Sequence, residues 1–531
     1  MIWHIAKKDF LLNIISVRFI IGFLLCLLII PFTIIVNLDD YKNQLRIYQI
    51  DREEAEKNLK ETRVYSGLRP VIVKPPEPLG IFCTGISSNM GDKVKTNFGE
   101  KPIFPEGEES LMDNPFLNSF LSIDFVSVIS ILFSLLALVF SYDLSTRERE
   151  DGTLKLNMSK GISRSTFMAG KILGVFITLI PILIFCYLLS SLIILLSSGV
   201  AFSSGEWMNI LILFIISLFF MVTFVMIGTA ISSLVRYSST SIVICLLSWI
   251  WFVFLVPAII NYGVESFVKT ELYENVRYAL GEIDRQYWDV HSEKSREIRE
   301  EERLQRRSWW NANSDDDGYF ETSGTPMEVM EFERKLRAWS EPVRIEYADR
   351  KWAVQKEYLD GLIRQGRWQQ YLAWLSPSMI FEQVSSGLCR TDMNAFLGFM
   401  DEVHTYREIL IEHFTINGWF DSFRYITAQP VEQIVTFEEY DRVSRYVIEL
   451  MHTIATIEDF ERISQTANIP DCWTNENNPA LDLSDIPLFR YQTADLPDLI
   501  NQGLLRMIAL LSGCIVIFVF TQWSFNNYDI R

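Results

Sequence analysis

The chain has 531 residues, 49% of them apolar and 21% charged, with a formal net charge of −18 at neutral pH. That length admits more than one domain, and the acidic balance argues against a nucleic-acid partner, because phosphate binding needs a basic surface. The apolar residues fall in runs of about 20, which sets the class as a polytopic helical membrane protein.

Residues 1–18, MIWHIAKKDFLLNIISVR, put Trp3, Phe10 and Ile14 on one helical face and Lys7, Lys8 and Asp9 on another. That pattern predicts an interfacial helix on the cytoplasmic surface, and a ragged start to the first span fits the same residues equally well. Lys7, Lys8 and Arg18 anchor the amino terminus inside. The first span, 19–36, is too long for a cleavable signal peptide and no small-residue cleavage site follows it. Residues 37–122 then form a smaller, mixed outer segment. Its beginning, Tyr41 to Tyr65, is charged and reads as helix. From Leu68 onward prolines and glycines punctuate it, and Val71–Val73 and Ile81-Phe82 fit short strands or extended loops.

The second span, 123–142, leads into a charged loop at 143–171. With its flanks this stretch reads SYDLSTREREDGTLKLNMSKGISRSTFMAGK and carries six basic residues, so the positive-inside bias places it in the cytoplasm. The order of its groups is specific. Arg147-Glu148-Arg149-Glu150 precedes Gly152-Thr153; a small-residue turn, Gly161-Ile162-Ser163-Arg164, follows, and Gly170-Lys171 stands at the foot of the next span. This order resembles the cytoplasmic coupling loop of permease subunits of type-2 ABC exporters. There, a Glu-Arg-Glu-x-Gly-Thr run is followed by a Ser-Arg and a Gly-Lys.

The resemblance implies that Glu148, Arg149, Glu150, Gly152, Thr153, Ser163, Arg164, Gly170 and Lys171 couple the chain to an ATPase, with Glu148 to Thr153 docking in a groove of that partner. It further implies two ATPase copies that bind the ATP and Mg, and a second permease, identical or related. The chain itself would hold no cofactor. It has no GxxxxGK[ST] phosphate loop, since Gly170-Lys171 is followed by Ile172 and lacks a glycine at the right offset.

Further spans are expected at 172–196, 208–234, 241–260 and 503–523, six in all, with a cytoplasmic tail at 524–531. Pro181 should kink the third. Gly228 to Ser233 are small residues that permit close helix approach, and Trp251 and Phe252 form an aromatic belt at the outer face. Asp124 and Arg506 sit at outer edges where they can snorkel.

Residues 262–502 make the larger outer segment, and their 25 basic against 44 acidic side chains outweigh the whole chain's imbalance. Apolar stripes at Val276, Leu280, Ile283, Tyr287, Val290 and at Phe332, Leu336, Trp339, Val343, Val354, Tyr358, Leu362 predict a long antiparallel helical hairpin. More helix is expected from Val431 to Ile463, before a proline-punctuated loop. Ser376-Pro377, Gly387, Thr391-Asp392, Phe396 and Tyr406-Arg407, with RPVIVKPPEPLGIFCTGISSNMGDKV in the first outer segment, resemble the NosY-like subgroup of these permeases. That subgroup is associated with multicopper-enzyme maturation.

His404, His413, Met451-His452, Met393 and Met400 are ligand types that suit cuprous copper. The same methionines fit a core stripe, and no metal site is assigned. Of the seven cysteines, Cys83, Cys389 and Cys472 lie in outer segments, where one disulfide and one free thiol are possible in any pairing.

The fold class expected is an all-α polytopic protein of the bacterial inner membrane, both termini cytoplasmic. The function expected is that of the membrane subunit of an ABC exporter, not itself an enzyme. Two alternatives stand beside it. One is a mechanical subunit whose outer helical domain acts on an extracytoplasmic protein partner. The other is a membrane-anchored receptor or scaffold without an ATPase.

Overall fold

The computed structural model describes residues 1–86, 90–105, 123–153, 163–301, 326–434, 436–439, 442, 480–491 and 496–527. The turn at Gly161, the polar stretch 302–325, most of the helix expected at 431–463, Met451-His452, Cys472, Pro470, Pro479 and the last residues from Tyr528 lie outside the described residues.

Among the described residues six helices are long and apolar enough to cross a membrane. A separate helix α1 (Ile2–Ile15) precedes the first of them, α2 (Val17–Glu61). The remaining spans are α3 (Phe125–Ser141), α5 (Arg164–Leu196), α6 (Ser204–Leu234), a composite of α7 (Ser238–Ile250) and α8 (Val256–Phe267), and α14 (Leu496–Asn527). A short α4 (Thr146–Glu150) lies between α3 and α5. The faces of α2 that meet no protein carry Ile20, Leu24, Leu28, Phe32 and Ile35, an apolar set suited to lipid. α5 runs from Arg164 to Leu196 with Pro181 inside it, so the proline does not end the helix.

Within the bundle the spans meet through small and hydroxyl side chains. Tyr187 Oη and Ser217 Oγ are 2.7 Å apart between α5 and α6, and Trp249 Nε1 donates to Ser134 Oγ at 2.9 Å between α7 and α3. Gly228 of α6 faces Ser141 of α3 so closely that a Cβ would fall 1.9 Å from Ser141 Oγ.

The composite fifth span carries a π-helical turn at Trp251–Leu255, just before Pro257. In a π turn the amide of residue 257 would bond to the carbonyl of Phe252, and proline has no such N–H. Ser376 Oγ donates to that carbonyl instead, at 2.5 Å. This bond seats α11 (Pro377–Leu388) on the bundle, where Phe381 stacks on Phe220 with ring centroids 4.5 Å apart. α11 was expected inside a wholly separate outer segment; its Ile380, Phe381, Val384 and Leu388 belong to the core of the spans.

The extramembrane region is mainly helical. α9 (Tyr273–Glu301) and α10 (Met327–Leu372) pair antiparallel, as expected. Val276 packs in one cluster with Leu359 and Leu362, Tyr287 meets Tyr347 at 5.6 Å, and Ile298 packs with Phe332 and Leu336. Asp284 and Lys351 add an ion pair at 2.9 Å. Val290 is exposed and lies off the seam. α10 alone, with 46 residues, is about 69 Å long at 1.5 Å per residue.

The hairpin does not stand alone. It packs with α12 (Met393–Ile416) and with the first segment, in which β1 (Val71–Val73) pairs antiparallel with β2 (Lys93–Lys95). Ile72 and Val94, opposite each other, enter the shared core. Arg407, fully buried, fixes α12 to this segment by donating from Nε to the Asn97 carbonyl at 3.0 Å. Ile81-Phe82 form no strand. They close a 3-10 turn (Pro78–Ile81) that tucks under the bundle, where Asn37 Nδ2 holds the Ile81 carbonyl at 3.1 Å.

The helix expected at Tyr41–Tyr65 is the upper half of α2, so the first span continues without a break into the extramembrane domain.

Gly228→Val should overpack the α3–α6 contact, at about 1–3 kcal/mol, and lower the melting temperature in detergent by several degrees. Adding Ser141→Gly should restore part of the loss. A variant that melts like the parent would show that the two helices do not touch there.

Candidate functional site

The short helix α4 organises one end of the bundle. Its first amides have no partner within the helix, and Ser232 Oγ of α6 accepts from Ser145 N at 3.0 Å and from Thr146 N at 3.4 Å. Gly152, at φ +68°, ends it, in a left-handed geometry that glycine adopts without a Cβ penalty. Successive helical residues point about 100° apart at 3.6 residues per turn. Glu148, Arg149 and Glu150 therefore reach in three directions, each to a different part of the fold.

Glu148 turns inward. Its Oε1 accepts from Lys171 Nζ of α5 at 2.9 Å, and its other oxygen meets the Thr153 hydroxyl. Lys171 Nζ also lies 3.3 Å and 3.2 Å from the two Asp9 oxygens of α1. All three charged side chains are at most 12% exposed. Burial pushes the Asp9 carboxyl above its ordinary range, and Lys171 draws it back. The backbones of α1 and α5 come together because of two glycines one turn apart. A Cβ on Gly170 would stand 2.9 Å from Ile5 Cβ, and one on Gly174 2.9 Å from Asp9 Cβ. Asn13 Nδ2 adds a bond to Thr178 Oγ1 at 3.3 Å.

Arg149 and Glu150 take the junction between α6 and α7. Arg149 donates through both terminal nitrogens to the Ser233 and Val235 carbonyls, each at 2.9 Å. These are carbonyls at the C-terminal end of α6, where positive charge is favoured. Glu150 accepts from Ser238 N at 2.9 Å and from Ser238 Oγ at 2.6 Å, at the N-terminal end of α7, where negative charge is favoured. The alternation of sign in Arg-Glu-Arg-Glu thus matches two helix ends of opposite polarity. Nearby, Arg18 Nη1 of α2 pairs with Asp143 Oδ2 at 3.0 Å.

Of the residues expected to couple, Glu148, Arg149, Glu150, Thr153, Gly170 and Lys171 converge on this clasp. Ser163 caps α5 by accepting from Thr166 N at 3.2 Å, Arg164 opens that helix, and Gly152 has open space around its Cα. Arg147, Glu150 and Asp151 are the exposed side chains of this turn, and Arg147 and Asp151 form a loose pair at 4.0 Å. Sequence reading missed Asp9, which it set on the solvated face of α1, and Ser232 and Ser238. The signals were there in the small-xxx-small spacing Gly170–Gly174 and in one acid among the lysines of α1.

The opposite end of the bundle holds a polar cavity of about 90 Å³, lined by Asp124, Gln370, Glu382, Gln383, Asp392 and Arg506. Asp124 does not snorkel. It is 2% exposed, caps α3 by accepting from Ser127 N at 2.8 Å, and holds Thr84 N at 2.9 Å. Arg506 donates to Gln370 Oε1 at 3.3 Å. Burial, and to a lesser degree Asp124, push the Glu382 carboxyl up to about 8.

Among the described copper-type ligands, the groups have other partners. His404 Nε2 meets the Pro102 carbonyl at 2.7 Å, and Met393 and Met400 lie in the domain core. Among the described residues no three His, Cys, Asp or Glu side chains gather to hold a metal ion.

Lys171→Met leaves Asp9 and Glu148 buried without their counter-charge, a change that costs about 3–5 kcal/mol for a buried pair. The variant should melt well below the parent in detergent. Adding Asp9→Asn and Glu148→Gln should recover much of the difference. A Lys171→Met protein of unchanged stability would show that the three groups do not meet.

No curated protein matches the sequence. Residues 3–530 match the family described as ABC-2 family transporter protein, and the chain belongs to that family.

Proposed function

We propose that the chain is the membrane subunit of an ABC exporter driven by a separately encoded ATPase, and that α4 is the element the ATPase moves. The observation that carries this reading is the clasp. One five-residue helix is bonded directly to α5, α6 and α7, and through Lys171 to Asp9 of α1, so that a displacement of α4 pulls on all four. The inward course of Glu148, and the engagement of the exposed Glu150 by Ser238, shift the docking surface to the side chains beside them, Arg147 and Asp151, and to the exposed backbone at Gly152. In this reading two ATPases bind ATP and Mg, two permeases pair, and the clasp end faces the cytoplasm of a bacterial inner membrane with both termini beside it. The basic residues of 141–171 support that sidedness. The NosY-like resemblance rests on outer-segment residues and on family analogy alone.

A second reading has its own support. α2 is one helix of 45 residues from Arg18 at the clasp end into the extramembrane domain, where Lys93 pairs with its Asp51 at 3.4 Å. A tilt of the first span is therefore carried directly into that domain, and force delivered to an outer protein partner would need no substrate path.

Arg147→Glu combined with Asp151→Lys keeps an i,i+4 pair and inverts the outward charge. Co-purification of the ATPase encoded beside this chain should fall about tenfold, ~1.4 kcal/mol, with the melting temperature unchanged. Full retention of the ATPase and of its activity would remove the docking surface. An adjacent gene encoding no ATPase would favour the scaffold alternative.

A further inference from the structure

Cys83 and Cys389 come from different halves of the extramembrane region, and both are buried in one packed cluster at the domain end of the spans. Both are free and buried, and their thiols lie near enough to perturb one another. The backbone on either side is built to bring them together. Ile86 N donates to the Thr391 carbonyl at 2.9 Å. Gly85, at φ +52°, passes so close that a Cβ would sit 2.4 Å from the same oxygen, an approach open only to glycine. On the other strand of the contact Arg390 has φ +58°, which among the described non-glycine residues is the one positive value. That turn directs Thr391 back toward Gly85. Thr84, beside Cys83, is in turn bonded to the helix cap Asp124.

We propose that Cys83 and Cys389 are joined by a disulfide in the mature protein, which rivets the turn at 81–86 to the junction of α11 and α12. The inference rests on the reading that the domain end faces the oxidising side of the membrane. The bond forms by exchange with an oxidised dithiol–disulfide oxidoreductase. One cysteine, as its thiolate, attacks the catalyst's disulfide, giving a mixed disulfide and releasing one catalyst sulfur. The second thiolate attacks the bound cysteine sulfur, closing Cys83–Cys389 and releasing the other catalyst sulfur. Two electrons pass to the catalyst, and the two protons lost by the cysteines balance those taken up by its reduced sulfurs.

The exchange belongs to folding, before the turn closes over the sulfurs. In the folded chain the hydrogen bond to Cys389 and burial push the Cys83 thiol up, so a pair that escaped oxidation would be a poor nucleophile. Cys26 and Cys186 form a similar contact between α2 and α5. They lie within spans, out of reach of any exchange catalyst, and serve as an internal control that stays reduced.

The test uses full-length protein from membranes, acid-quenched, denatured in N-ethylmaleimide and digested without reductant for mass spectrometry. A peptide linking 83 to 389 is expected, with the other five of the seven cysteines alkylated. Cys83→Ser should abolish the link and leave Cys389 alkylated. Alkylation of all seven, or a link to Cys472, overturns the proposal. Impermeant maleimide applied to intact cells carrying Glu100→Cys reports sidedness separately. Labelling with both thiols free sinks the disulfide alone; no labelling sinks the sidedness with it.

Discussion

One ammonium group sits where the basic end of this protein is tied together. Lys171 Nζ bridges Asp9 on α1 and Glu148 on α4, at the one level where a pair of glycines lets α1 lie directly on α5. Burying three charges is unfavourable in itself, and replacing such a cluster by apolar groups is often neutral or stabilising. What the cluster supplies is register. Any slip of α4 strands a buried carboxylate, so the helix has one seat, and Arg149 and Glu150 can then meet the ends of α6 and α7 with matched polarity. The clasp is thus a positional constraint first and a source of stability second.

The far end is fixed by different means. There the chain repairs its own irregularities. Pro257 strips a donor from the π turn and Ser376 supplies one; the turn at 81–84 is held by Asn37 and Asp124; and α11 wedges against α6 and α14 through Phe381 and Val384. Both ends of the bundle are therefore tied by polar anchors, while its middle is a packed apolar core containing a few hydroxyl pairs such as Tyr187–Ser217.

The spans, the hairpin and the strand at Val71–Val73 were legible in the sequence because each is written in local periodicity: charge-free runs, heptad stripes and β-branched residues between prolines. The family was legible for a related reason, since the Glu-Arg-Glu-x-Gly-Thr order is contiguous. What stayed hidden depends on partners far away in the chain. Nothing local reveals that Glu148 faces a lysine 23 residues on, which also bonds an aspartate 162 residues before it. A charged residue in a basic loop reads as solvated, and so Asp9, Glu148 and Glu150 were assigned to water or to a partner rather than to the fold. α11 was misplaced for a similar cause. Its amphipathic stripe says that one face is buried, and not that the burying surface is the membrane bundle. Asp124 shows the same limit, because an acid beside an apolar run looks like an edge group until Thr84 is seen to hold it.

In the proposed mechanism α1, α4 and the α6–α7 junction move as one body. Pulsed dipolar distances between spin labels test it most directly, with cysteines introduced at the exposed positions Leu12, Asp151 and Tyr237. The native cysteines among the described residues are all buried. In the proposed complex with an ATPase, the three mutual distances should stay the same with and without bound nucleotide, while the distance from Asp151 to its counterpart in the proposed second permease changes. Nucleotide-dependent distances within the trio would contradict the account.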